Sequence, residues 1–210
     1  MAGTPGGANN IGAGKLRIPR VKGAPQNRKA TVLVLAGGGI DSALCMHNLR
    51  ESGVLFRGLH IDYGQPARHN EWRAVQKIVK HLGGTASQIA ISSKRIFNGG
   101  EVQGRNAAFI FLGLMQLHPE EKAICIGIHA GTPFFDCSRS FFESIEQSVA
   151  EQTNGCTRLV APLLDCTKPE IIGLARAAAI PLELTYSCQL GVERGCGSCH
   201  SCKDRKALGC

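Results

Sequence analysis

Thr31–Ala36 (TVLVLA) is an apolar run rich in β-branched residues that ends in three glycines, and it constrains the chain more than any other segment. Such a run reads as a buried strand. Asp41–Glu51 follows at once with helical spacing through Leu44, Met46 and Leu49. A strand passing through glycines into a helix opens a βαβ unit, and the pattern repeats down the chain. Val54–Ile61 reads as a second strand and Arg68–Leu82 as a helix with Trp72, Val75, Ile78, Val79 and Leu82 on its apolar side. Further strands are expected at Ser87–Ile91, Ala123–Ile128 and Leu159–Leu164, and helices at Asn106–Leu117, Arg139–Gln152 and Lys168–Ala178. Pro169 suits the first turn of the last helix, where a missing N–H is harmless. The alternation predicts an α/β fold with a parallel sheet flanked by helices. Tyr186–Cys210 is rich in cysteine and glycine and shows little periodicity before Lys203.

The 210 residues suffice for one α/β domain, and 43% hydrophobic with 19% charged residues is ordinary for a soluble protein. No stretch approaches the roughly 20 apolar residues of a membrane-spanning helix, and the N-terminus lacks a secretory apolar core. A cytoplasmic location is the expectation. The net charge of +8 looks like a nucleic-acid signal until it is located. Residues 1–30 hold six of the 24 basic residues and none of the 16 acids, so 18 basic and 16 acidic residues remain in 31–210. The basicity belongs mostly to a Gly-, Pro- and Asn-rich tail, read as disordered and solvated or as a docking arm. The expected organisation is a basic tail over 1–30, a nucleotide-binding α/β domain over 31–184, and a metal-binding segment over 185–210.

Gly37-Gly38-Gly39-Ile40-Asp41-Ser42 lies where the first strand turns into the first helix. Ligands of open α/β sheets sit at the carboxyl ends of strands. Glycines allow the backbone to approach phosphate oxygens, and the helix N-terminus offers free N–H groups with partial positive charge. The residues expected to form this cofactor-binding loop are Val34, Leu35, Ala36, Gly37, Gly38, Gly39, Ile40, Asp41, Ser42, Ala43 and Leu44. Asp41 can cap the helix or help hold a phosphate-bound Mg2+, and Ser42 adds a hydroxyl donor. A Walker motif needs Gly-Lys-Ser/Thr, which is absent, and the G-x-G-x-x-G spacing is unmet. What remains resembles the S-G-G-x-D-S pyrophosphate loop (PP-loop) of the ATP pyrophosphatases. That resemblance implies an adenine nucleotide alpha hydrolase-like fold and use of ATP to activate a carboxyl or carbonyl oxygen. Gly37 stands where that loop has its first serine.

Ten cysteines in a chain read as cytosolic point to metal or catalysis rather than to a disulfide framework. Cys188, Cys196, Cys199 and Cys202 fall within 15 positions, with Gly191, Gly195 and Gly197 to permit sharp turns. Four thiolates suit a closed, tetrahedral, structural Zn2+ site. His200 is a competing ligand, and a redox C-x-x-C is the rival reading, which leaves two cysteines unexplained. Cys45 and Cys125 lie in apolar surroundings and read as small buried hydrophobes.

Glycine loop and cysteine cluster together resemble the 7-cyano-7-deazaguanine synthase family of queuosine biosynthesis. Further segments match in order: Asp62-Tyr63-Gly64-Gln65 with His69 and Glu71 after it, Gly104-Arg105-Asn106, Ile126-Gly127-Ile128, Asp136-Cys137 with Phe141, Pro162-Leu163 with Lys168, Glu170 and Ile171, and Thr185-Tyr186-Ser187-Cys188 with Arg205 at the close. The resemblance implies an ATP-dependent ligase that converts the carboxylate of 7-carboxy-7-deazaguanine to a nitrile with ammonia, through amide formation and then loss of water. It implies ATP and Mg2+ at Gly37–Ser42, with Asp41, Ser42 and Arg105 as catalytic residues. Arg105 also serves as the carboxylate clamp, and Gln65, Asn106 and Asp136 as further substrate-binding groups. It suggests a homodimer.

Three departures from the family pattern lie near the expected cleft: Gly37 for serine, His129–Phe135 in place of an Asp/Tyr-containing loop, and Tyr186 for tryptophan. They keep open a paralogue, such as those of antiviral defence operons, that stops at the amide or joins a deazaguanine to an amine of a protein or nucleic-acid partner. A PP-loop tRNA-modifying enzyme predicts salt-sensitive RNA binding; the near-neutral body and only 5% aromatic residues speak against it. A zinc-knuckle binding module without activity predicts a damaged loop, which Asp41 and Ser42 contradict.

Overall fold

Strand β1 (Thr31–Leu35) forms at the apolar run and takes the centre of the sheet, its last four residues buried. The computed structural model describes residues 31–97, 101–129, 131–207 and 209; the basic tail 1–30 and Cys210 lie outside the described residues. Helix α1 (Ile40–Glu51) returns the chain to β2 (Leu55–Asp62), and α2 (Arg68–Leu82) leads to β3 (Thr85–Ala90). Helix α3 (Arg105–Met115), β4 (Glu121–Ile126), α4 (Arg139–Gln152), β5 (Arg158–Val160), α5 (Lys168–Ala177) and α6 (His200–Ala207) complete the order.

All five strands are parallel, in the order β3-β2-β1-β4-β5. Leu33 and Leu35 point to one face of the sheet, with Ile110 of α3 and Val149 of α4. Val32 and Val34 point to the other, with Leu44, Val75 and Ile171 from α1, α2 and α5. Both faces are covered, as a parallel sheet requires. No helix among the described residues is long and apolar enough to cross a membrane.

Several elements differ from the sequence expectation, among them β4, which runs over Glu121–Ile126 rather than Ala123–Ile128. Edge strand β3 begins two residues early, at Thr85, because pairing with Arg57 and Gly58 of β2 extends it beyond its only apolar stretch. β5 stops at Val160; Leu163 and Leu164 are buried but lie in the turn after Pro162, so their hydrophobicity serves the core rather than a strand. Helix α6 starts at His200, inside the segment expected to be irregular.

At the amino-terminal edge of the sheet, Arg57 and Glu121 are 7% and 3% exposed. Arg57 Nε and Nη2 donate to the two carboxylate oxygens at 2.8 and 2.7 Å. Its remaining donors reach Ser87 Oγ and the Gln116 carbonyl, while the His118 N–H donates to Glu121. Burial pushes the Glu121 carboxyl up, but the bonds from Arg57 and His118 outweigh it and hold it below its ordinary value. A depressed folded value means that the ionised carboxylate stabilises the fold above the unfolded pKa, and that this is lost as pH falls through the folded value. Glu121→Gln leaves a buried guanidinium uncompensated and is expected to lower stability by about 3–5 kcal/mol at pH 7. In urea titrations the gap between variant and wild type should narrow below about pH 4; a gap independent of pH would contradict this assignment.

Candidate active site

The strand order reverses between β1 and β4: the chain leaves β1 toward β2 on one side and later returns to β4 on the other. Such a switch point opens a crevice at the carboxyl ends of the strands. A cavity of about 380 Å³ occupies it, lined by the chain just after β1, β2 and β4, by the start of α3, and by the C-terminal segment.

The glycine loop supplies its floor. Gly39 is the N-cap of α1, in extended geometry and with no side-chain cap. The first N–H groups of a helix have no intrahelical acceptor and here face the crevice end of the sheet. Ser42 Oγ donates to the Gly39 carbonyl at 3.1 Å, closing the turn. Gly38 has φ of +74°, and a Cβ there would lie 2.7 Å from the Glu71 carbonyl oxygen, so conformation and the packing of α2 both require glycine. Leu35, Ala36, Gly37, Gly39, Ile40, Asp41 and Ser42 line the cavity. Val34, Ala43 and Leu44 do not; they are core residues behind the loop.

Asp41 does not cap α1. Its Oδ1 accepts from Lys168 Nζ at 2.6 Å, across 127 positions of sequence. Lys168 opens α5, and Glu170 pins that helix start by accepting from the N–H and hydroxyl of Thr167, both at 2.7 Å. Two helix N-termini and a lysine therefore converge on one side of the cavity, which makes that side suited to anions.

Arg105 begins α3 with its guanidinium carbon 6.0 Å from the Phe109 ring centroid, and its Nε is buried without a hydrogen-bond partner. Burial raises the nearby Tyr63 phenol, offset in part by the positive charge of Arg105. Asn106 lines the cavity, but its Nδ2 donates to the Asp136 carbonyl at 3.0 Å, while its N–H donates to the Asp136 carboxylate at 3.3 Å. Asp136 itself is not in the cavity wall. It braces the start of α3, whose N-cap is Gly104. Gln65 is 5% exposed and donates to Glu71 Oε2 at 2.7 Å and to the Ile61 carbonyl. Burial raises the Glu71 carboxyl, and the Gln65 bond opposes the rise.

The four sequence-predicted thiols come together, all sulfur atoms lying within 4.8 Å of one another. Cys196 Sγ lies 3.9 Å from Cys202 Sγ and receives the Cys199 N–H at 3.2 Å. Hydrogen bonds from Ser198, and then from backbone N–H groups, hold the Cys196 thiol down at about 5. Four thiols this close together, with the Cys199 N–H aimed at sulfur, fit a metal ion. His200 is directed to Asp204 instead, at 3.4 Å. The segment is fastened to the glycine loop by the Tyr186 N–H, which donates to the Gly38 carbonyl at 2.8 Å, and to α2 by Asn70, which donates to the Gly191 carbonyl; Arg205 donates to Thr185 Oγ1 within the segment.

Sequence reasoning gave no individual role to Lys168, His129 or Glu71, although Glu71 and Lys168 stand in the matched segments and His129 opens the loop expected near the cleft. Lys168 carried a signal, because a lysine in the first turn opposes the helix dipole and so calls for a local reason. His129 carried a weaker one, as a lone titratable residue just past a buried strand.

The family model described as "Queuosine biosynthesis protein QueC" matches residues 31–100 and 92–208. The 7-cyano-7-deazaguanine synthase of Sulfurimonas denitrificans is 31% identical, over 86% of this chain and 92% of that protein. The enzyme of the same name from Prochlorococcus marinus (strain NATL2A) is 33% identical, over 85% and 92%. That from Oceanobacillus iheyensis is 30% identical, over 82% and 90%. With its parallel sheet, its glycine loop at the switch point and its four clustered cysteines, the chain belongs to the QueC family of queuosine biosynthesis proteins.

Proposed function

We propose that this chain is an ATP-dependent ligase that activates the carboxylate of 7-carboxy-7-deazaguanine and combines it with ammonia to give 7-cyano-7-deazaguanine. The observation that carries the reading is the convergence, in a chain of this family, of the α1 N-terminus, Lys168 and Arg105 on one cavity.

A carboxylate is a poor acyl donor because its oxygen leaves badly. Transfer to phosphorus makes that oxygen a good leaving group, and ammonia then displaces it to form the amide. Activation of the amide oxygen in the same way lets that oxygen depart on the phosphate while the nitrogen gives up its two protons, a net dehydration of the amide that gives the nitrile. The α1 N–H groups and Lys168 hold the phosphates, and Arg105 clamps the carboxylate by charge-assisted hydrogen bonds. Tyr63, Phe109 and Phe134 offer apolar cavity wall against which a planar heterocycle packs. Asp41 would help hold Mg2+ beside the phosphates, where the ion would spread phosphate charge. Cys188, Cys196, Cys199 and Cys202 form a closed set for structural Zn2+, leaving no position for substrate. The largely apolar α3, with Met115 77% exposed, supports a homodimer.

Purified protein with Mg-ATP should consume ATP only when 7-carboxy-7-deazaguanine is present; acid-independent turnover, or none, would contradict the reading. A Cβ on Gly37 meets nothing within 4 Å. Gly37→Ser is therefore expected to add a phosphate-facing hydroxyl and tighten ATP by about 1–3 kcal/mol, roughly five- to 150-fold in Kd. Calorimetric titration with a non-hydrolysable ATP analogue checks it, and unchanged or weaker binding would show that the hydroxyl is not needed here.

A further inference from the structure

His129 belongs to the loop that departs most from the family pattern, and the reaction as described above leaves it without a role. It is 7% exposed and lines the cavity. The chain reaches it along the edge of the phosphate-binding helix: a Cβ on Gly127 would lie 3.2 Å from the Asp41 carbonyl carbon and 3.3 Å from Ser42 N. On its other side, a Cβ on Gly131 would lie 3.3 Å from the backbone nitrogen of Lys168 and 3.1 Å from His129 Nδ1. The imidazole therefore sits between the N-termini of α1 and α5.

One hydrogen bond fixes its chemistry. The Gly131 N–H donates to His129 Nδ1 at 3.2 Å. A backbone N–H can only donate, so Nδ1 carries a lone pair and the neutral ring carries its proton on Nε2. Protonating Nδ1 would set two donors against each other. Burial acts in the same direction, as does the charge of Lys168, while Asp41 and Asp204 oppose it; the net effect holds the imidazole below its ordinary value. Among the described residues Nε2 takes no hydrogen bond. A neutral imidazole held in this tautomer cannot accept a proton at Nε2 and offers a donor there.

We propose that His129 donates a hydrogen bond from Nε2 to a phosphate oxygen of ATP on the leaving side, and strengthens it as the carboxylate is activated. The inference rests on the proposed ligase reading. In that step a substrate carboxylate oxygen forms a bond to phosphorus, the bond from phosphorus to the bridging oxygen breaks, and the electron pair leaves with the phosphate. His129 keeps its proton throughout and stabilises the charge that develops, as preorganised neutral donors do.

The test compares wild type, His129→Leu and His129→Gln, whose amide N–H reaches about as far as Nε2. His129→Leu should lose roughly a hundredfold or more in kcat with the ATP KM within about threefold. His129→Gln should recover most of that loss. Nitrogen-15 NMR of histidine-labelled wild type should show the neutral Nε2–H form at pH 7, and its Nε2 resonance should move on adding a non-hydrolysable ATP analogue. A leucine variant with full kcat, leucine and glutamine variants equally impaired, or a neutral Nδ1–H form would each overturn the role. If wild type consumes no ATP with the acid, the ligase reading fails; the NMR response to the analogue then still decides whether His129 donates to phosphate.

Discussion

Stripping the metal with a strong chelator, or replacing Cys199 with serine, should release the C-terminal segment first and abolish turnover as a consequence. The cluster draws on residues from Cys188 to α6, which are held otherwise by hydrogen bonds and little apolar packing. Cys188 is 3% exposed, but no residue of α6 is buried. A structural zinc contributes on the order of 10 kcal/mol of binding free energy, more than such a surface can supply by packing. The loss travels through three contacts already described, from Tyr186 to the Gly38 carbonyl, from Asn70 to the Gly191 carbonyl, and from Arg205 to Thr185. The first of these touches the glycine loop directly. Hydrogen exchange should therefore quicken over residues 186–207 while β1, β2 and β4 stay protected, and turnover should fall at least about a hundredfold, as when a preorganised site is lost. A metal-free protein with full activity and a protected C-terminus would contradict this account.

Lys168→Met should separate chemistry from stability. The Lys168–Asp41 pair is partly open to solvent, with side chains 26% and 28% exposed. Pairs of that kind contribute at most about 1 kcal/mol to folding. The unfolding midpoint should therefore barely move. The proposed contact with phosphate is another matter: removing one such group typically costs about a hundred- to a thousandfold in kcat. Steady-state kinetics beside urea denaturation of the same preparations make the comparison. A variant that keeps its activity, or one that simply unfolds, would remove Lys168 from the mechanism.

The parts of the site that were legible in sequence are those built from neighbours. The strand, the glycines and Asp41-Ser42 are contiguous, and the four cysteines lie close enough for their spacing to speak. The Lys168–Asp41 pair was not legible, because it depends on α5 following β5 at the sheet edge and reaching back to α1. Nor was the bracing role of Asp136: a carboxylate that fastens a helix start has the same letter as one that faces substrate. Asp41 shows the same limit, since a helix-opening aspartate is a natural cap and only the fold brings a lysine to it. Edge strand β3 was misplaced because its first residues are exposed and pair through backbone alone.

The most direct measurement is mass spectrometry of the product made from 7-carboxy-7-deazaguanine, Mg-ATP and nitrogen-15 ammonium. The account predicts the nitrile, with both carboxylate oxygens gone and one labelled nitrogen in their place. A product that stops at the labelled amide, or label absent from the product, would contradict it.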